Sequence, residues 1–162
     1  MRWNPFKKAT LQIYTPVNGK IIPLEEVPDP VFSEKLMGEG IAIIPTKGNI
    51  YAPVEGAIIQ IAPTKHAIGI LAKGGTEILI HVGLETVSLK GKGFNVLVNV
   101  GDKISSGQLL IETDWEYIST NAKSTVIPIV ITNSHKGDKQ YTITEEKEAI
   151  FGKTVIITAS AK

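Results

Sequence analysis

Short apolar segments separated by turn residues recur along the chain, and almost none of them has helical periodicity. Runs rich in Ile, Val and Thr alternate with Gly, Pro and Asn, a pattern typical of all-β proteins. The pattern predicts one short helix at residues 115–123, with Asp114 as its N-cap. It predicts strands near residues 11–15, 20–24, 41–45, 50–53, 57–61, 66–71, 78–82, 94–98, 108–112, 126–132, 141–144 and 154–158.

An internal repeat indicates how these strands are organised. The segments YTPVNGKIIPL (14–24) and YAPVEGAIIQI (51–61) are identical at six of eleven positions. Each has a Pro-Val-x-Gly turn before an apolar strand, which predicts two related β-units packed about a shared core. A further tight connection in GDKISSGQLLIE (101–112) supports the same fold class. We therefore predict an all-β fold, a flattened antiparallel β-sandwich or barrel of short strands.

The chain length and the turn-rich segments suggest one domain. The 162 residues are most simply a single free-standing domain, 1–162, with residues 1–10 as a flexible N-terminus. The proline-rich segment EEVPDPVF (25–32) is expected to be an exposed connection, because strands resume soon after it. It is therefore not interpreted as a linker between domains.

Composition excludes several kinds of site. The chain has no cysteine, so disulfides, thiolate metal ligands and a cysteine nucleophile are absent. The net charge of +1 provides no strong field for binding nucleic acid. No apolar run has the length of a signal peptide or approaches the roughly 18 residues of a membrane span. These properties are compatible with a cytoplasmic protein.

Two of the three histidines lie in apolar segments. His135 is in a polar turn and is assigned no role, whereas His66 and His81 flank a predicted hairpin turn, LAKGGTE. A two-residue loop at 74–75 would make the two histidines diagonal neighbours, and one at 73–74 would place them directly opposite. Both registers put the imidazoles on one face, and Thr64 shares their parity. An odd-length loop or a bulge would separate them.

Strand alternation in EILIHVGLET (77–86) indicates which side chains face the core. Ile78, Ile80 and Val82 alternate with Leu79, His81 and Gly83, and the second set is predicted to face outward. Gly83 leaves space for a bulky group beside the imidazole ring. His81 is therefore predicted to lie on an accessible, partly apolar surface.

The residue types limit the chemistry of this pair. Two histidines are too few ligands for a catalytic zinc site unless a carboxylate joins them, so no metal site is predicted. No serine stands in a recognisable nucleophile motif. The remaining roles are a histidine that acts as nucleophile or proton shuttle, with its nitrogen oriented by the other histidine.

Several segments together resemble one protein family. EILIHVGLETVSLKGKGF (77–94) and the upstream PTKHAIGI (63–70) closely resemble the glucose-class enzyme IIA of the bacterial sugar phosphotransferase system. DPVFSEKLMGEGIAIIPTKGNIYAPVEG (29–56) and AKSTVIPIVITN (122–133) match the same family. The resemblance extends from about Tyr14 to the C-terminus, and it implies a cytoplasmic phosphotransferase component without a cofactor.

The resemblance also implies a role for each matching residue. His81 would accept a phosphoryl group from phospho-HPr and pass it to a cysteine on a sugar-specific IIB domain. His66 would hydrogen-bond and stabilise the phosphoryl group, and Thr64 would orient the His66 ring. Since the chain has no cysteine, the next acceptor must lie on another polypeptide.

The resemblance to the enzyme IIA family also implies a docking surface for HPr and the IIB domain. Phe32, Leu36 and Met37 match the apolar rim of the family, and Leu79, Gly83 and Glu85 are predicted to complete it. Glu85 stands where the family commonly has Asp, which keeps the charge on a longer side chain. The resemblance also implies regulatory targets, namely transporters or enzymes that bind this protein according to its phosphorylation state. The alternative function is therefore a mainly regulatory binding module.

Two other families with similar β architecture fit less well. GDKISSGQLLIE (101–112) resembles the hairpin of biotinyl and lipoyl carrier domains, which need a modifiable lysine at a tight turn. In the biotinyl case a methionine precedes that lysine, and neither Met1 nor Met37 precedes a lysine here. A LytM-type zinc endopeptidase requires a His-x-His pair, which this chain lacks.

Overall fold

The computed structural model describes residues 10–162, and all twelve predicted strands overlap strands in it. The strands are β1 (Thr10–Tyr14), β2 (Asn18–Pro23), β3 (Glu39–Lys47), β4 (Ile50–Tyr51), β5 (Gly56–Ile61), β6 (Ala67–Ala72), β7 (Glu77–His81), β8 (Phe94–Val96), β9 (Lys103–Ile104), β10 (Leu109–Thr113), β11 (Ile127–Ile131), β12 (Lys139–Ile143), β13 (Glu148–Ala149) and β14 (Val155–Ala161). Sequence reasoning missed the two-residue strands β9 and β13. Residues 1–9 of the predicted flexible N-terminus lie outside the described residues, whereas Thr10 begins β1.

The helices are few and short. The α-helices are α1 (Pro30–Ser33) and α2 (Trp115–Asn121), and the 3₁₀ helices are Leu24–Glu26, Thr86–Leu89 and Ser134–Lys136. The prediction of a helix capped by Asp114 is confirmed, because the Asp114 carboxylate accepts a hydrogen bond of 3.1 Å from the Tyr117 N–H. Within residues 10–162, no helix is long and apolar enough to span a membrane.

The strands form three antiparallel sheets. The large sheet has the order β13-β2-β3-β11-β7-β6-β5-β9, and the three-stranded sheets have the orders β1-β14-β12 and β4-β10-β8. The main core joins all three, with fully buried side chains such as Ile13, Leu110 and Ile129. The large sheet keeps two end strands, β13 and β9, so the β-sandwich prediction is confirmed and the alternative of a barrel is not.

The order of strands in the large sheet is symmetrical about its centre. The series β13, β2, β3, β11 from one end corresponds to β9, β5, β6, β7 from the other, and the repeat segments fall on β2 and β5. Gly19 and Gly56 occupy equivalent places, since a Cβ on either would collide with a carbonyl of the adjacent strand. The sheet thus confirms the prediction of two related β-units.

Backbone hydrogen bonds connect the two units reciprocally. The Tyr14 N–H donates to the Pro53 carbonyl at 3.0 Å, and the Tyr51 N–H donates to the Pro16 carbonyl at 2.9 Å. These four residues are at matching positions of the repeat. Each unit therefore satisfies backbone groups of the other, as unpaired buried groups would be costly.

A second apolar cluster covers the opposite face of the large sheet around β7. Val27 and Phe32 are only 3% and 4% exposed, and they pack with Leu79 and Val130 in this cluster. The prediction that residues 25–32 form an exposed connection is therefore right for Glu25, Glu26, Pro28, Pro30 and Val31 and wrong for Val27 and Phe32. Asp29 caps α1, with Pro30 at its first position, and this turn directs Phe32 onto the sheet.

Candidate functional site

The hairpin that carries the histidines has a different register from either one predicted. Ala67 is paired with His81 and Leu71 with Glu77, and the Ala72 N–H donates to the Thr76 carbonyl. The loop is therefore the three residues 73–75, an odd length that would separate the imidazoles if the strand continued through His66. Both two-residue loops were wrong predictions.

The two imidazoles are nevertheless adjacent, because β6 begins one residue after His66. Lys65 has a left-handed φ of 63°, which turns the chain before the strand starts. The His66 and His81 ring centroids lie 4.8 Å apart with an interplanar angle of 77°. The predicted proximity of the pair is confirmed, but a turn rather than strand parity produces it.

His81 is fixed by a carbonyl two residues further along the chain. Its Nδ1 lies 2.8 Å from the Gly83 carbonyl oxygen, so Nδ1 carries the proton and Nε2 carries the lone pair in the neutral ring. Gly83 has a left-handed φ of 79°, and a Cβ there would lie 2.6 Å from Thr86 Cγ2. Gly83 is buried against Thr86 and Ser124, so the prediction that it faces outward is wrong, and its contribution seen in the structure is this carbonyl.

His66 is held from its other side by a hydroxyl. Thr64 Oγ1 lies 2.8 Å from His66 Nδ1, although Thr64 is in the turn before β6 and not in an extended strand. His66 itself is only 8% exposed. The contact thus constrains the ring of a nearly buried histidine next to His81.

Phe32 and Leu79 support the pair from below. The Phe32 ring centroid is 5.1 Å from that of His81, and Phe32 is 4% exposed. Leu79 is 9% exposed and belongs to the second apolar cluster. The expectation that Leu79 faces outward to a partner is therefore wrong, because α1 and its neighbours cover that side of β7.

Other predicted docking residues are accessible. Leu36 is 66% and Met37 36% exposed, and Glu85 is exposed at a left-handed φ of 57°. Sequence reasoning missed Val31 and Val87, which are 41% and 58% exposed on the segments that carry Phe32 and Thr86. The sequence signal that could have indicated them is an apolar residue next to or near a predicted docking residue, since Val31 precedes Phe32 and Val87 lies two residues after Glu85.

Burial keeps both imidazoles neutral near pH 7. Burial and then the charge of His81 lower the pKa of His66 from 6.5 to about 4, while hydrogen bonding at Thr64 opposes this. Burial also lowers the pKa of His81, against the Gly83 carbonyl and the Asp29 carboxylate. A neutral ring leaves Nε2 of His81 free to act as a nucleophile. Sequence reasoning did not single out Asp29 as a charge acting on His81.

The lowered pKa of His66 predicts a loss of stability in acid. The unfolded chain takes up a proton near pH 6.5 and the folded protein only near pH 4, so stability falls as the pH decreases between these values. The expected contribution of His66 is about 3 kcal/mol at most. Denaturant titrations from pH 7 to pH 4 should therefore show a shallower decline for His66→Gln than for the wild type. His135→Gln is the control for loss of an exposed histidine, and equal declines in wild type and His66→Gln would contradict this prediction.

No larger ligand cluster surrounds the pair. Within the part of the chain that the structure describes, no group of three or more His, Asp or Glu side chains could hold a metal ion. What the arrangement offers is one oriented nucleophilic nitrogen with a second neutral imidazole beside it.

Known proteins resemble this chain in sequence and in fold. The family model for the phosphoenolpyruvate-dependent sugar phosphotransferase system, EIIA 1, matches residues 11–137. The PTS system glucose-specific EIIA component of Staphylococcus epidermidis is 47% identical over 147 residues, which are 91% of this chain and 88% of the relative. The protein of the same name from Halalkalibacterium halodurans is 52% identical over 121 residues, 75% of this chain and 70% of the relative.

A solved structure extends the similarity to the whole fold. Glucose permease IIA from Mycoplasma capricolum superposes with a TM-score of 0.87 at 37% identity, covering 97% of this chain and 99% of its own. The resemblance noted in the sequence is therefore confirmed over most of the length of both proteins. The chain belongs to the EIIA 1 family of the phosphoenolpyruvate-dependent sugar phosphotransferase system.

Proposed function

We propose that this protein is a cytoplasmic phosphocarrier that accepts a phosphoryl group from phospho-HPr on Nε2 of His81. It then transfers the group to a cysteine of the IIB domain of a sugar permease, and so supports sugar uptake. The observation that supports this proposal is the pair of neutral imidazoles, whose ring centroids lie 4.8 Å apart. Nδ1 of His81 donates a hydrogen bond to the Gly83 carbonyl.

The uptake step is an in-line displacement at phosphorus. The Nε2 lone pair forms the new N–P bond while the bond between phosphorus and its donor atom on HPr breaks, and the donor atom keeps that electron pair. The proton stays on Nδ1, which donates a hydrogen bond to the Gly83 carbonyl, and this carbonyl stabilises the positive charge that develops on the ring. Because such transition states are loose, positioning contributes more than covalent assistance.

His66 contributes to phosphoryl transfer by stabilising the transferred group. If the Thr64 hydroxyl donates to His66 Nδ1, the His66 proton lies on Nε2 and can be donated to a phosphoryl oxygen. The burial of His66 keeps this donor neutral before the phosphoryl group arrives. A phosphoryl dianion on His81 would then raise the pKa of His66, so that Nδ1 of His66 takes up a proton from solvent as charge accumulates and the Thr64 oxygen accepts this N–H.

Docking is assigned to the exposed residues around the pair. Leu36, Met37 and Glu85 form the accessible part of the predicted surface, and Val31 and Val87 add apolar area. Phe32, Leu79 and Gly83 are buried and shape the surface from below. HPr and the IIB domain would use this face in turn, since one nitrogen serves both.

The proposal is tested by reconstituting the relay from purified components. With labelled phosphoenolpyruvate, enzyme I and HPr, we expect one acid-labile, base-stable phosphoryl group per chain, as a phosphohistidine gives. Addition of a IIB domain should discharge the group to its cysteine. A glucose-class IIA protein labelled in parallel is the positive control, and no labelling of this chain under those conditions would refute the proposal.

A further inference from the structure

Thr86 is a buried hydroxyl that the proposed mechanism does not use. It is 0% exposed, and its Oγ1 donates a hydrogen bond of 2.8 Å to the Val82 carbonyl. Its Cγ2 packs against the α-carbon of Gly83, where a Cβ would approach to 2.6 Å. One side chain thus contacts the peptide unit before Gly83 and the α-carbon of Gly83 itself.

The direction of the Gly83 carbonyl depends on the peptide after Gly83, to which it belongs, and, through the φ and ψ angles of Gly83, on the peptide before it. The plane after Gly83 is held by the Leu84 N–H, which donates to the Ser124 carbonyl at 2.9 Å. The plane before Gly83 includes the Val82 carbonyl, which accepts the Thr86 hydroxyl. Glu85 has a left-handed φ of 57°, a conformation that costs energy in a non-glycine residue and persists only when surrounding contacts hold it, whereas Gly83 adopts its φ of 79° freely and relies on its neighbours to fix it.

We propose that Thr86 is a positioning residue for phosphoryl transfer. Its hydroxyl fixes the Val82–Gly83 peptide and thereby the carbonyl that keeps the proton of His81 on Nδ1. This inference rests on the proposed function, because the nitrogen that it keeps free is the proposed phosphoryl acceptor. Without the hydroxyl, the Gly83 carbonyl moves relative to the ring, and a fraction of the His81 side chains carry their proton on Nε2. A protonated Nε2 has no free lone pair and cannot attack phosphorus.

Two substitutions separate the hydroxyl from the methyl group. Thr86→Val keeps the methyl contact with Gly83 and removes the donor, whereas Thr86→Ser keeps the donor and removes the methyl. Thr15→Val is the matched control, since Thr15 is 1% exposed and its Oγ1 donates to the Val17 carbonyl at 2.7 Å. That bond is also from a buried threonine hydroxyl to a backbone carbonyl, but it lies in the first repeat unit.

The experiment measures the His81 tautomer by ¹⁵N NMR of the imidazoles, together with kcat and KM for phosphoryl uptake from phospho-HPr. For Thr86→Val we expect a population with the proton on Nε2 and a kcat lowered about tenfold, the factor that one neutral hydrogen bond supplies, with KM unchanged. Thr86→Ser and Thr15→Val should keep the wild-type tautomer and kcat.

Several outcomes would overturn the inference. They are a wild-type tautomer and kcat in Thr86→Val, an equal loss in Thr15→Val, or a tenfold loss in Thr86→Ser. If Thr86→Val does not fold, the Thr86→Ser result still decides whether the hydroxyl suffices. If the wild type takes up no phosphoryl group, the proposed function fails, while the tautomer measurement still tests the positioning by Thr86.

Discussion

Replacement of His81 by glutamine is expected to abolish phosphoryl uptake, lowering the rate of labelling from phospho-HPr by at least about 10³-fold. The reason is that Nε2 of His81 is the proposed nucleophile, and the Gly83 carbonyl leaves its lone pair free by holding the proton on Nδ1. Glutamine has a similar reach but no basic nitrogen. The measurement is transfer of labelled phosphate from phosphoenolpyruvate through enzyme I and HPr.

Two control variants test whether the loss of labelling is specific to His81. His135→Gln removes an exposed histidine and should label like the wild type. His66→Gln retains the nucleophile and should still become labelled. Labelling that persists in His81→Gln would place the phosphoryl group elsewhere and contradict the central assignment.

Replacement of His66 by glutamine is expected to slow onward transfer to the IIB cysteine by about 10²–10³-fold, as removal of one transition-state donor does elsewhere. In this step an anionic thiolate approaches a phosphoryl dianion, so charge accumulates at the site. His66 can take up a proton as its pKa rises beside the dianion, whereas glutamine cannot. Uptake is expected to be affected less because the proposed attacking group, His81, is a neutral imidazole.

The two steps must be measured separately to test this asymmetry. Labelled His66→Gln protein is isolated and its discharge to a purified IIB domain is followed in single-turnover experiments. A Thr64→Val variant, which removes the contact at His66 Nδ1, is expected to fall between His66→Gln and the wild type. Wild-type discharge by His66→Gln would show that His66 has no stabilising role.

The fold class was predictable because its determinants are local. Each longer strand is a short Ile-rich run bounded by Gly or Pro, and this local pattern does not depend on which strand it pairs with. The repeated Pro-Val-x-Gly turn indicates the two units. The two-residue strands β9 and β13 were missed because a pair of residues shows no periodicity. The helix α1 was missed although Asp29-Pro30 is a recognised helix start.

The histidine pair of the candidate site was predictable, whereas its geometry and several of its neighbours were not. The segment LAKGGTE allows loops of two or three residues, and only the pairing of Ala67 with His81 decides between them. The turn at Lys65, which places His66 beside His81, needs a left-handed φ in a residue type that gives no sign of it. The burial of Leu79 depends on α1, which is distant in sequence.

The reciprocal backbone bonds between the two β-units have a consequence for how the two halves of the sheet can differ. A single unit alone would lack the partner for the amide of its own tyrosine, so the smallest assembly that satisfies these groups is a pair of units. In this chain both units lie on one polypeptide, and the strands of the second unit, β5, β6, β7 and β9, are inserted between β3 and β11 of the first. Two units on one polypeptide can differ in sequence: β7 carries His81, whereas its counterpart β11, IPIVI, has no titratable side chain. One half could thus acquire chemistry while the other remained a scaffold, a division that two identical subunits cannot make.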